Sequence, residues 1–127
     1  MLDWRRPTNL GVKDGRLAPC RRSPNCVSSQ ADPSDTTHYI APIAFHGSME
    51  TLCKALAELP LATIVRAEGD YLYAEFRTPI LRFVDDVELL KAGGLLHVRS
   101  ASRLGRRDFN VNRRRVEQLR ALISSLT

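Results

Sequence analysis

LLHVRSASRLGRRDFNVNRRRVEQLR, Leu95 to Arg120, is the stretch around which the rest of the chain is organised. It predicts a strand over Leu95–Ser100, a short polar and basic loop, and the start of a last helix. Val116, Leu119, Ile123 and Leu126 recur at helical spacing and give that helix one apolar face. Asn112 is the expected N-cap, because its side-chain oxygen can accept from an orphan backbone N–H. Val111 and Val116 then stand at the two positions of a hydrophobic staple. Eight arginines fall in the stretch: Arg99, Arg103, Arg106, Arg107, Arg113, Arg114, Arg115 and Arg120.

In this register Arg113, Arg114 and Arg115 crowd the first helical turn. That end carries the positive pole of the helix dipole, where a cation costs about 0.3–1 kcal/mol. The same end offers free N–H groups to an anion. The chain thus predicts a ligand site for a small anionic or polar molecule, built from Arg99, Ser100, Ser102, Arg103, Asn112 and Arg113. The competing reading is a solvated basic face whose arginines pair with Asp85, Asp86, Glu88 or Asp108. A cap at Asp108 would move the arginines one turn inward.

Upstream, Arg82–Leu90 and Leu95–Ser100 predict a hairpin around Lys91-Ala92-Gly93-Gly94. A turn at Ala92-Gly93 pairs Val87 with Val98, Leu89 with Leu96, Asp86 with Arg99 and Glu88 with His97. A turn at Gly93-Gly94 pairs Glu88 with Arg99 and keeps the same faces. Leu61–Ala67 and Tyr71–Arg77 predict a second hairpin around Gly69-Asp70. Leu72, Ala74 and Phe76 alternate with Tyr71, Tyr73, Glu75 and Arg77, so one face is apolar and the other polar and aromatic. The polar face would carry Asp86, Glu88, His97 and Arg99. It is either a solvated face or a groove for a ligand or a protein partner.

Met49, Leu52, Cys53, Leu56 and Leu59 predict a helix that starts at Gly47-Ser48 and stops at Pro60. His38–Phe45 reads as a strand, broken or at an edge because Pro42 lacks a ladder donor. Residues 1–37 hold four of the seven prolines and little periodicity. Residues 1–19 are expected as an arm, either partly disordered or packed across the domain, with Trp4 as its one large anchor. Residues 20–127 are expected as a single α+β domain in two layers. Its antiparallel sheet has about five strands and two helices on one face, in the order β-α-β-β-β-β-α.

The 127 residues suit one core. Apolar content of 43% and charged content of 26% are ordinary for a globular protein. A net charge of +5 and a pI near 9.6 favour acidic partners or anionic ligands. No apolar run approaches the ~20 residues of a membrane span. The first residues lack the apolar region of an export signal, and Leu17-Ala18-Pro19-Cys20 lacks the apolar stretch that precedes a lipoprotein site. The expectation is a cytoplasmic protein with three reduced thiols, Cys20, Cys26 and Cys53, and no metal or cofactor.

Three stretches share one resemblance: Cys20 with SPNCVSSQ (Ser23–Gln30), FVDDVELL (Phe83–Leu90) and HVRSASRLGRRDFNVNRRRVEQLR (His97–Arg120). Together the chain from about Cys20 onward resembles Domain of Unknown Function 1499, found in bacteria and plants. The resemblance implies a small domain of unassigned role, with relatives that carry export signals or membrane segments. It also implies that the three stretches form one unit. Polar groups of this density need hydrogen bonds if buried. The arm is therefore expected to fold over one end of the sheet, with Asn25, Ser28, Ser29 and Gln30 satisfying Arg99, Arg103, Asp85 and Asp86.

Four functions compete. A non-enzymatic anion-binding domain rests on the basic loop, with Asn25 and Ser28 as further ligands. Nucleic-acid binding rests on arginine density but has only Tyr71 and Tyr73 for stacking. Docking of a protein rests on the polar sheet face with Asp85, Asp86, Glu88 and His97. Catalysis would need His97 oriented by Glu88, with Ser100 or Ser102 as nucleophile. Strand parity puts Ser100 on the face opposite His97, and no GxSxG elbow is present.

Overall fold

The computed structural model describes residues 5–105 and 110–126. Trp4, Arg106, Arg107 and Asp108 lie outside them, and with them the readings of Trp4 as an anchor and Asp108 as a cap or ion partner. The chain opens with a small hairpin, β1 (Val12–Lys13) and β2 (Arg16–Leu17). It continues through β3 (Cys26–Ser28), β4 (Ile43–Ala44) and α1 (Met49–Ala57). Four long strands follow: β5 (Ala62–Glu68), β6 (Tyr71–Arg77), β7 (Val84–Ala92) and β8 (Leu95–Ser102). The last element is α2 (Val111–Ser124).

The fold is α+β, with an antiparallel sheet of six strands in the order β3-β8-β7-β6-β5 and β4 also on β8. The expected strand over His38–Phe45 shrinks to two residues beyond Pro42, with Tyr39 bridging Ser28. β3 emerges from the stretch expected to be irregular. It pairs Cys26 with Ala101 and Ser28 with Arg99.

Both helices lie on the sheet's apolar face. Leu52 and Leu56 of α1 and Val116, Leu119 and Ile123 of α2 join Leu72, Ala74, Phe76, Val87, Leu89, Leu96 and Val98 in one core. Ser48 caps α1, its hydroxyl accepting from the Thr51 N–H at 3.1 Å. Met49, Cys53 and Leu59 pack on the core edge, as their spacing predicts.

The β7–β8 hairpin takes the Gly93-Gly94 turn, so Glu88 stands opposite Arg99 and Leu90 opposite His97. Gly93 has φ 62°, as the first residue of a hairpin turn of this kind requires. A Cβ on Gly94 would come 2.4 Å from the His46 ring. This pairing replaces the Ala92-Gly93 register and its Glu88–His97 and Asp86–Arg99 pairs.

The α2 cap also differs from expectation. It is Asn110, in the left-handed region at φ 64°. Asn112 is buried inside the first turn instead. Its amide oxygen accepts from Ser100 Oγ at 2.6 Å, and its Nδ2 donates to Ser102 Oγ and the Asn25 carbonyl. Tertiary demand for that amide overrides its capping preference. Arg115 thereby moves past the first turn.

Candidate anion site

The opposite face of the sheet carries Tyr71, Tyr73, Glu75, Asp86, Glu88 and Arg99, and all six are buried. Residues 5–17 cover them, so the polar face is closed rather than an open groove. Leu17 and Leu10 pack on Tyr71 and Tyr73 together with Val65 and Leu90. Val65 reaches that cluster because β5 bulges between Ile64 and Arg66. The same bulge brings the Arg66 guanidinium over the Tyr71 ring. The β1–β2 hairpin turns on Asp14-Gly15, both at positive φ (54° and 74°). That is a turn signal legible in the sequence.

Each buried carboxylate has donors. Glu88 Oε2 accepts from the Tyr71 hydroxyl at 2.6 Å and from the Gly11 N–H at 2.7 Å. Arg103 forks onto Asp86, Nε to Oδ2 at 3.0 Å and Nη2 to Oδ1 at 2.8 Å, and also donates to Glu75. Arg6 Nε donates to Glu75 Oε2 at 3.0 Å. The Tyr73 hydroxyl donates to Asp86. Burial works against the charge on Glu75, yet the hydrogen bonds from Arg6 and Arg103 outweigh it and hold its carboxyl below the usual range. Bonds to Asp86 and Glu75 hold Arg103 above the ordinary arginine value despite burial. Tyr71 and Tyr73 are raised, first by burial and then by their carboxylate partners.

Arg99 is the exception. It is 4% exposed, and its Nη1 is 3.6 Å from Glu88 Oε1, too long for a hydrogen bond. Arg99 Nε and Glu88 Oε1 have no hydrogen-bond partner among the described residues. Burial lowers the Arg99 pKa, with Glu88 and Asp86 pulling the other way.

Arg99 borders a cavity of about 520 Å³ at the Arg77 and Ser102 end of the sheet. Arg5 and Arg6 line it from the arm, Arg21, Ser23 and Asn25 from the next loop, and Ser102 and Arg103 from β8 and its continuation. Among the described residues that line it are one carboxylate, Asp86, and five arginines. None of those described residues is aromatic. The Cys20–Cys26 disulfide brackets Arg21, Ser23 and Asn25. This bridge overturns the expectation of reduced thiols: five residues between two cysteines is too wide for a CxxC motif but leaves their Cα atoms 5.7 Å apart. Cys53 is the free thiol. The Asn25 side chain closes the rim by donating to the Gly105 carbonyl at 2.7 Å. His38 braces it, with Nδ1 2.8 Å from Asp35 and Nε2 3.0 Å from the Ser23 carbonyl. Burial opposes the charge on His38, but these acceptors prevail and raise its pKa.

Of the residues predicted from sequence, Asn25, Arg99, Ser102, Arg103 and Asp86 meet at this cavity. Ser100 and Asn112 bond each other on the helix side. Ser28 Oγ accepts from the Gln30 N–H. Arg113 donates to the Tyr39 and Thr37 carbonyls, and Arg115 pairs with Asp85 over the Phe76 ring. The helix-start arginines thus hold chain segments together rather than line the cavity. The expected network from the arm differs too. Ser29 Oγ accepts from the Val98 N–H at 2.8 Å and meets His97 Nδ1 at 3.0 Å, and Gln30 Oε1 accepts from the Leu17 N–H. Burial, then the nearby Arg16, lower the His97 pKa. The Ser29–His97 pair joins the residue after β3 to β8 and lies outside the cavity lining.

Sequence reasoning missed Arg5, Arg6 and Arg21. Their signal was the pairs Arg5-Arg6 and Arg21-Arg22 set among turn residues. Among the described residues no group of three His, Cys, Asp or Glu side chains is placed to hold a metal, and no helix is long and apolar enough to cross a membrane.

A two-layer α+β sheet sealed by its own arm, with an arginine-lined end, defines the class of domain. The chain belongs to the family described as Protein of unknown function (DUF1499), whose model matches residues 16–123. No curated protein and no solved structure matches the chain.

Proposed function

We propose that the domain binds a small, multiply anionic ligand in the arginine-lined cavity, without catalysing a reaction. The observation that carries this is Arg99: a buried guanidinium at the cavity wall whose Nε lacks a partner among the described residues. A buried donor left unsatisfied costs about 1–3 kcal/mol, and more when charged, which an anion would offset. The cavity falls in the ~300–1,000 Å³ range of small-molecule sites.

Calorimetric titration with inorganic phosphate and with citrate tests the reading. Binding should weaken with added salt, and Arg21→Ala should lower affinity about tenfold, as loss of one charge-assisted bond predicts. Arg21 is exposed and its removal leaves the buried network intact. Silence of the folded protein across phosphate, sulfate and carboxylates would sink the proposal.

The Cys20–Cys26 bridge supports an oxidising compartment rather than the cytoplasm. Alkylation of acid-quenched cells without reductant should then label Cys53 alone. Labelling of all three cysteines would return the protein to a reducing compartment.

A further inference from the structure

The loop between β6 and β7 projects two aliphatic side chains into solvent, Ile80 at 90% exposure and Leu81 at 67%. The other large apolar residues exposed among the described residues are Val12 and Leu95, at 42% and 40%. The tip is built rather than frayed. The Thr78 N–H donates to the Phe83 carbonyl at 2.9 Å, and Thr78 Oγ1 accepts from the Phe83 N–H at 2.9 Å. The Arg82 N–H donates to the Thr78 carbonyl at 3.1 Å, with Arg82 itself at φ 59°. Arg82 directly follows the two aliphatics, and Arg77 stands three residues before Ile80 with its guanidinium 3.7 Å from Glu75 and bonded to Thr63 Oγ1 at 3.4 Å. The tip also shares its end of the sheet with the arginine-lined cavity, since Arg6 and Arg103 both bond Glu75, two residues before Arg77. The carboxylates there, Glu75, Asp85 and Asp86, are buried and paired. Glu58, exposed at the end of α1, lies three residues before Leu61, whose carbonyl accepts from the Arg77 N–H, while the exposed Glu68 and Asp70 sit at the opposite end of the β5–β6 hairpin.

We propose that the Thr78–Phe83 tip docks the domain on an anionic bilayer surface, Ile80 and Leu81 entering the interface while Arg77 and Arg82 meet phosphate headgroups. A narrow protrusion of two aliphatics between cations matches that boundary, where apolar burial and attraction to anionic lipid add. Each arginine near such a surface changes partitioning about fivefold. The docking goes beyond the cavity reading and does not need the cavity to be filled.

Co-sedimentation of the whole chain with phosphatidylcholine vesicles, with and without phosphatidylglycerol, tests it. The protein should pellet with the anionic vesicles, Arg82→Ala should lower partitioning about fivefold, and Ile80→Asp combined with Leu81→Asp should abolish it. Circular dichroism of these exposed-loop variants should match wild type. Equal pelleting of the tip variant, or no pelleting of wild type, overturns the docking. Phosphate titration of the same samples separates the two readings. Binding of phosphate without vesicles leaves the cavity reading standing alone, and vesicle binding without phosphate leaves the docking alone. Self-association through the tip in place of vesicle binding would also overturn it.

Discussion

Glu88→Ala is expected to destabilise the domain by roughly 3–5 kcal/mol, the range for removing one partner of a buried ion pair. Glu88 is wholly buried between β6 and the arm. Its loss leaves the Arg99 charge without its nearest carboxylate and the Tyr71 hydroxyl and Gly11 N–H without their acceptor. Glu88→Gln keeps the shape and an acceptor, and should fall between. Urea denaturation of the three proteins measures this. A loss below about 1 kcal/mol for the alanine variant would mean that water reaches the polar face, since only exposed pairs matter so little.

Arg103→Ala should be comparably severe, by about 3–5 kcal/mol, because it uncovers two buried carboxylates at once. Asp86 would keep Tyr73 as a donor, and Glu75 would keep Arg6. Arg103→Lys should recover only part of the loss, since an ammonium cannot fork onto Asp86 while reaching Glu75. The pH dependence has a definite sign. The Glu75 carboxyl sits below its ordinary value, so its pairing contributes above the ordinary glutamate range and is lost as pH falls through the lowered value. Arg103→Ala should therefore flatten the acid limb of the stability profile. An unchanged acid limb would remove Arg103 as the partner that matters. Arg103 is thus a structural keystone that borders the cavity, unlike Arg21.

The layered fold was legible because periodicity reports burial directly. The stripes on α1 and α2 and the alternation along β6 needed no tertiary knowledge. The hairpin register was open because Ala92-Gly93 and Gly93-Gly94 both leave the same residues on each face, so periodicity does not choose between them. Asn112 misled because an ideal capping residue was claimed by Ser100, Ser102 and Asn25. Part of the cavity was visible as Arg99, Ser102, Arg103 and Asn25. Its other wall was not, because Arg5, Arg6 and Arg21 sit in segments without periodicity and are positioned by the sheet beneath them.

The arm has a consequence for synthesis. Residues 5–30 leave the ribosome before the strands that seat them: Arg6 waits for Glu75, Gly11 for Glu88, and Asn25 for Ser102 and Gly105. Contacts of such sequence separation form late. Until β6 and β7 are made, Arg6 and Gly11 have no carboxylate to bond, and a chaperone or an early oxidation of Cys20 with Cys26 would meet a nascent chain whose arm is still unattached.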